Sequence, residues 1–199
     1  MRSFWQRALR FCYKRETHYL YCCDVARTLQ LAPPLVNALT EYVVDAANLA
    51  EIKNVITPFP ALTETYIQRG NIAFMAAQGS AWVFRSTVIL GPDDHQVTGF
   101  RLHLGAHDAY LECAETIPAW RGKGVAPGML HITMRTLLAQ GYTRSFLTIA
   151  SHNTASCRAV EKGGGTRIGV IASCRLFKHW RAAYTPLTDE EQYTHVVSS

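Results

Sequence analysis

Gly122 and Gly124 stand two residues apart between Arg121 and Ala126, in the stretch AWRGKGVAPG (residues 119–128). This spacing suits anion chemistry. Glycine takes positive φ without a Cβ clash and lets a ligand come close to the backbone. A strongly periodic segment, MLHITMRTLLAQG (129–141), follows directly and predicts a helix, so the turn sits at a helix N-terminus. Unpaired N–H groups and the positive end of the helix dipole meet there, and phosphate binds well. Pro127 suits the first helical position, where no N–H is needed for the ladder. Arg121 and Lys123 add mobile positive charge. The pattern is not a P-loop, which needs a longer spacing ending in Gly-Lys-Ser/Thr. Nor is it the dinucleotide fingerprint, whose third glycine and following acidic residue are missing.

The elements that must position this turn are a strand before it, AYLECAETIP (109–118), and after the helix a second strand, RSFLTIA (144–150), with a loop and helix in SHNTASCRAVEKGGGTRIG (151–169). On a strand, residues of equal parity share a face. Tyr110, Glu112 and Ala114 therefore point one way, and Cys113 and Glu115 the other.

Arg121-Gly122-Lys123-Gly124-Val125-Ala126 resembles the Arg/Gln-x-x-Gly-x-Gly/Ala signature of the GNAT (Gcn5-related N-acetyltransferase) superfamily. The lead-in from Thr116 to Arg121 is similar as well. So is the run Asn153…Ser156…Ala159-x-Glu161-Lys162-x-Gly164 after the second strand. The resemblance is clear over 109–169, extends to about 61, and is not evident in 1–30. It implies an α/β (α+β) fold with a mixed, mostly antiparallel central sheet flanked by helices and splayed at an acyl-CoA site. It implies an N-acyltransferase that moves an acyl group from acetyl-CoA or another acyl-CoA to a primary amine by direct attack, without a metal.

Carried over residue by residue, the resemblance places the pyrophosphate on Gly122, Lys123, Gly124, Val125 and Ala126, with Arg121 nearby. It places the thioester carbonyl near the amides of Thr116 or Ile117, and the pantetheine arm by Asn153 and Ser156. For Asn153, loop capping is the alternative. Arg158 and Lys162 fit either phosphate contacts or solvated helix charges. Members place a glutamate or histidine four residues before the position matched by Thr116, which is Glu112. Flanked by an aromatic ring and sheet residues, that carboxyl is expected to have a raised pKa suited to proton abstraction, directly or through water. Glu115 takes the role instead if a bulge reverses the parity.

The sequence departs from the family at Val160, where many members carry a tyrosine that protonates the leaving thiolate, and at Gly163-Gly164-Gly165. Tyr110, Tyr142, His152 and Cys157 are all open for that role, or no acid is needed. The departure also leaves open a non-catalytic acyl-CoA-binding module. A long-chain acyl-CoA or an acyl carrier protein as donor is a further alternative.

The chain has 199 residues, 48% hydrophobic and 18% charged, with a net charge of +5. That suits one domain, with 1–33 as a possible N-terminal extension and 185–199 as a fraying tail. The scattered positive charge and the lack of a recognised motif argue against nucleic acid. Neither a transmembrane run nor a secretory signal is visible. The six cysteines show no zinc spacing, so reduced thiols in the cytoplasm are expected. His103, His107 and His131 are expected in core or surface roles.

MRSFWQRALRFCYKRE (1–16) can form an amphipathic helix, packed on its own domain or touching a membrane through residues 2–15. A strand is expected over Thr17–Val25, a helix over Leu35–Val55, and a short helix over Leu62–Arg69 closed by Gly70. Strands are expected over Ala81–Leu90 and Val97–Leu104, with a turn at Gly91–His95, then closing strands at Thr166–Ile171 and Arg175–Phe177. The acceptor, a small-molecule or protein amine, is not encoded in a motif, and neither is the oligomeric state.

Overall fold

The computed structural model describes residues 13–35, 39–97, 99–176, 179–188 and 197–198. Aromatic and β-branched residues make β1, Tyr13–Asp24. The Asp24 side chain then accepts from the Arg27 N–H and starts α1, Val25–Leu31. After β2 (Thr40–Val44) come α2 (Leu49–Val55) and α3 (Ala61–Gln68). The hairpin partners β3 (Ile72–Gln78) and β4 (Ala81–Leu90) follow. A small hairpin, β5 (Asp93–Val97) and β6 (Phe100–Leu104), precedes β7 (Asp108–Thr116). The chain continues through α4 (Val125–Ala139), β8 (Arg144–Ala150), α5 (Thr154–Lys162), β9 (Thr166–Leu176), β10 (His179–Pro186) and β11 (Val197–Ser198).

Eight strands form one sheet in the order β10-β9-β1-β8-β7-β4-β3-β2, and β11, β6 and β5 form a second. All pairs are antiparallel except β7 with β8. The N-terminal strand lies inside the large sheet, pairing with β8 along one edge and β9 along the other.

Alternation along the strands divides the core between two faces. One face carries Phe74, Val88 and Ala109 against Met129, Ile132 and Leu137 of α4, while α5 covers Tyr21 and Ile149 beside them. The other face carries Ile89, Tyr110 and Phe146 under Phe100 and Leu102 of the small hairpin, and Ala73 and Met75 under Ile52 and Ile67 of α2 and α3.

Several segments depart from their sequence expectation. Leu35–Val55 is not one helix. Thr40–Val44 pairs with β3, and Asp45 and Asn48 then form a reciprocal turn, each side chain accepting from the other's N–H. Val97–Leu104 is not one strand, because Gly99, at φ 83°, folds it into the β5–β6 hairpin. The two closing strands are a single β9. Pro127 occupies the third helical position, since α4 begins at Val125. The amphipathic segment falls mainly on 1–12, outside the described residues, and Tyr13–Glu16 belongs to β1. Most of the polar tail is likewise outside them, although Thr185 and Pro186 close β10.

At the closed end of the β7–β8 pair, Asp108 is 1% exposed. It accepts from Arg144 Nε at 2.7 Å and Nη2 at 2.9 Å, and from the Gly105 N–H at 2.9 Å. Asp108→Ala removes the two-pronged acceptor of a partly buried guanidinium and leaves the Gly105 amide without its partner. It is expected to lower stability by about 2–3 kcal/mol, below the full cost of an enclosed pair because Arg144 is partly solvated. Urea unfolding measures the change.

Candidate active site

β7 and β8 pair in parallel only from Asp108↔Arg144 to Leu111↔Leu147. Beyond that point they part. Across the mouth of the gap the Tyr110 hydroxyl meets Thr148 Oγ1 at 2.7 Å. The parting coincides with a bulge in β7: Thr87 faces Glu112 and Arg85 faces Glu115, so Ser86 alone opposes Cys113 and Ala114. Cys113 takes φ 55°, a rare conformation for a residue with a side chain. The bulge bends the strand and leaves these two residues out of the ladder.

A cavity of about 440 Å³ runs through the gap. On the helix face it is lined by Ala126, Pro127 and Leu130 of α4 and by Asn153, Ser156 and Val160. On the hairpin face it is lined by Tyr110, Glu112, Cys113, His18 and Val97. An adjoining groove of about 360 Å³ shares Pro127, Leu130 and Ala159 and carries Arg158 and Lys162 on its wall.

The glycine turn leads into α4 just ahead of Ala126, the first residue of that helix to line the cavity; Arg121, Gly122, Lys123, Gly124 and Val125 do not line it. Gly122 and Gly124 have φ of 74° and 75°, and Gly124 is the N-cap of α4. A Cβ at Gly122 would meet nothing within 4 Å, so its glycine requirement is conformational. The first helical bond is Gly128 N–H to the Gly124 carbonyl at 3.1 Å, which leaves the Val125 and Ala126 amides as orphans of the first turn. Pro127 contributes none. Arg121 Nε donates to the Thr116 carbonyl at 3.0 Å, and Lys123 Nζ lies 5.0 Å from the Trp120 ring centroid.

The structure brings together only part of the expected set. Glu112, Ala126, Asn153 and Ser156 line the cavity. Asn153 Oδ1 caps α5 by accepting from the Ser156 N–H at 3.2 Å, which commits one end of its amide. Thr116 and Ile117 do not line it, and the Ile117 N–H already donates to the Val83 carbonyl at 3.0 Å. Glu115 is held by Arg85 through Nε at 3.0 Å and Nη2 at 2.8 Å. The bulge does reverse the parity. Residues opposite one another share a face, so Glu115 joins Glu112 on the hairpin face rather than replacing it. Val160, at the family's tyrosine position, lines the cavity, whereas Tyr142, His152 and Cys157 do not. His107 and His131 contact backbone carbonyls of Gly141 and Ala32, and His103 meets Asp94.

Two partners of Glu112 escaped the sequence analysis, His95 and Tyr66. His95 Nε2 lies 3.3 Å from Glu112 Oε2. Burial pushes the Glu112 carboxyl up, but the His95 ring and the Tyr66 hydroxyl stabilise its anion by more, and the net direction is down. The expected raised pKa is therefore reversed, because Tyr110 beside it is accompanied by two hydrogen-bonding groups from the hairpin and α3. No motif marks those two residues, and the turn signal over Gly91–His95 hides that His95 lies in β5. Burial, followed by the nearby Glu112, pushes the Tyr66 hydroxyl and the Cys113 thiol up.

No protein-family model and no curated protein matches the sequence. Solved structures do. A GCN5-related N-acetyltransferase-like protein from Streptococcus suis superposes with a TM-score of 0.59 at 15% identity, over 90% of this chain and 67% of that one. A GNAT-family protein from Novosphingobium aromaticivorans gives 0.54 at 14%, over 82% and 64%. A GNAT-family acetyltransferase from Colwellia psychrerythraea gives 0.50 at 16%, over 88% and 57%. This chain has the GNAT fold. It spans 57% to 67% of the length of these neighbours. Among the described residues of this GNAT-fold chain, no cluster of three or more His, Cys, Asp or Glu is placed to hold a metal ion. No described helix is long and apolar enough to cross a membrane.

A carboxyl depressed in the folded state stabilises the fold above its unfolded pKa, and that contribution is lost as pH falls through the folded value. The stability difference between wild type and Glu112→Gln is thus expected to be largest near neutrality and to shrink as pH falls through and below the ordinary carboxylate range. Urea midpoints measured across that range test the sign.

Proposed function

We propose that this chain is an N-acyltransferase, moving an acyl group from acetyl-CoA or a longer acyl-CoA to a primary amine. The observation that carries this reading is the cavity through the sheet, whose wall holds both Ala126, in the first turn of α4, and Glu112. The thioester supplies the activated acyl group and is consumed as a substrate. The Val125 and Ala126 amides, with the turn at Gly122–Gly124, suit the diphosphate. The adjoining groove, with Arg158 and Lys162, suits the nucleotide end. Asn153 and Ser156 border the path of the pantetheine arm.

At the centre, Cys113 and Ala114 stand outside the ladder, and their amides are the backbone donors best placed to stabilise charge on the acyl oxygen. Glu112 binds the acceptor's ammonium and takes its proton. No acid is assigned for the departing thiolate: Tyr110 lines the cavity, but burial pushes its hydroxyl up and it pairs with Thr148. The five cysteines among the described residues are free thiols, which supports a reducing, cytoplasmic setting. Val160 at the tyrosine position favours a second reading, an acyl-CoA-binding module without turnover.

Acetyl-CoA at one hundred times its Kd is expected to stabilise the fold by about 2.7 kcal/mol. Gly124→Val, which forces a β-branched residue to positive φ, is expected to weaken binding at least about tenfold. With a panel of small amines and peptides, wild type is expected to release free thiol, and Glu112→Gln to do so about a hundredfold more slowly. Absence of stabilisation by acetyl-CoA defeats both readings; stabilisation without thiol release selects the binding module.

A further inference from the structure

We infer that the donor thioester carries an aliphatic acyl chain longer than acetyl, and that this chain lies between α4 and the sheet, in the part of the cavity reached past the β7 bulge. The inference rests on the transferase reading above and names the class of its donor. The cavity does not end at the gap. Its lining crosses β7 to Phe84 and Ser86 of β4, and runs along α4 from Ala126 to Thr133, about 10 Å of helix. Met134 and Leu137, deeper along α4, do not line it. Ser86 pairs with Phe74, and residues opposite one another share a face, so Ser86 lies on the α4 side of the sheet. This lobe is off the route from the first turn of α4 past Asn153 and Ser156. Those two residues belong to α5 and its cap, over β1 and β8, whereas Phe84 and Ser86 lie on the far side of β7. The bulge opens the way between them, since Cys113 and Ala114 leave the ladder opposite Ser86.

The lobe suits a hydrocarbon. Phe84, Ser86 and Thr133 are each no more than 4% exposed, and the Thr133 hydroxyl is spent on the Met129 carbonyl at 2.9 Å. The ionisable residues of the cavity wall, His18, Tyr110, Glu112 and Cys113, all belong to its hairpin side; the α4 side of the wall has none. A charged acyl group would lose its hydration there without gaining a partner, which disfavours dicarboxylic donors. Each buried methylene, by contrast, adds to binding. The two substrates thus take opposite faces: the acceptor ammonium meets Glu112, and the acyl tail runs under α4. The amine nitrogen forms the C–N bond as the C–S bond breaks. One ammonium proton leaves with the sulfur as free thiol, and the other passes through Glu112 to water.

The test measures kcat/KM for thiol release with the best amine of the panel and acetyl-, butyryl-, hexanoyl-, octanoyl- and succinyl-CoA. Wild type is expected to gain about threefold to fourfold per methylene from acetyl to hexanoyl, and to use succinyl-CoA at least about tenfold less well than butyryl-CoA. Ser86→Leu and Thr133→Leu, which fill the lobe, are expected to lower the octanoyl-to-acetyl ratio about tenfold or more. Without turnover, urea unfolding is expected to show that S-octyl-CoA, an unreactive thioether, stabilises wild type more than S-ethyl-CoA does at equal concentration, and that either substitution narrows the difference. A flat or falling donor series, or equal stabilisation by the two thioethers, overturns the inference and leaves the transferase reading in place. Absence of thiol release with every donor strikes the transferase reading instead, and the two thioethers then still decide whether the lobe holds a chain. Where a substituted chain fails to fold, the wild-type donor series and the thioether pair decide alone.

Discussion

The site depends on two adjacent parallel strands that stop bonding to one another. β7 and β8 share a ladder as far as Leu111 and Leu147, and from there a gap opens through the middle of a sheet. Such a gap is costly to keep, because it exposes backbone donors and acceptors that a continuous ladder would satisfy. Several contacts hold it. β4 grips β7 on its outer side and β1 grips β8 along its whole length. The Asp108–Arg144 pair pins the closed end, and Tyr110 with Thr148 spans the mouth. The opening is therefore a property of the sheet rather than of mobile loops.

Opening the sheet joins two faces that are otherwise chemically separate. The helix face supplies partial positive charge, from the first turn of α4 and the groove beside α5. The hairpin face supplies acid–base groups. The bulge at Cys113 and Ala114 does both jobs at once. It takes two residues out of the ladder beside the gap, and it shifts strand parity so that Glu115 turns to the same face as Glu112. Arg85 then engages Glu115, which leaves Glu112 as the carboxylate in the cavity wall. One inserted residue thus decides which of two neighbouring glutamates is available.

The first partners of Glu112 come from far along the chain. Tyr66 arrives on α3 and His95 on the small hairpin, each brought to the face by apolar packing: Ile67 within the α2–α3 cluster, and Val97, Phe100 and Leu102 within the hairpin cluster. The hydrophobic contacts that seat these elements also set the charge state of the site. The direction of the Glu112 shift reflects that packing more than the aromatic neighbour on its own strand.

From the sequence alone, the strand–turn–helix–strand–helix core was legible, because the signals there are local. Gly122 and Gly124 require positive φ, and the helix that follows repeats with a regular apolar face. Asn153 capping α5 was legible for the same reason. The β2 segment was misread because Leu39, Tyr42, Val43 and Ala46 satisfy a helical spacing equally well; only pairing with β3 decides between the two. The β5–β6 hairpin, the place of β1 between β8 and β9, the bulge and the His95–Glu112 pair were decided by tertiary structure. Each depends on which distant backbone fills a neighbouring edge or face, and no spacing along the chain records that.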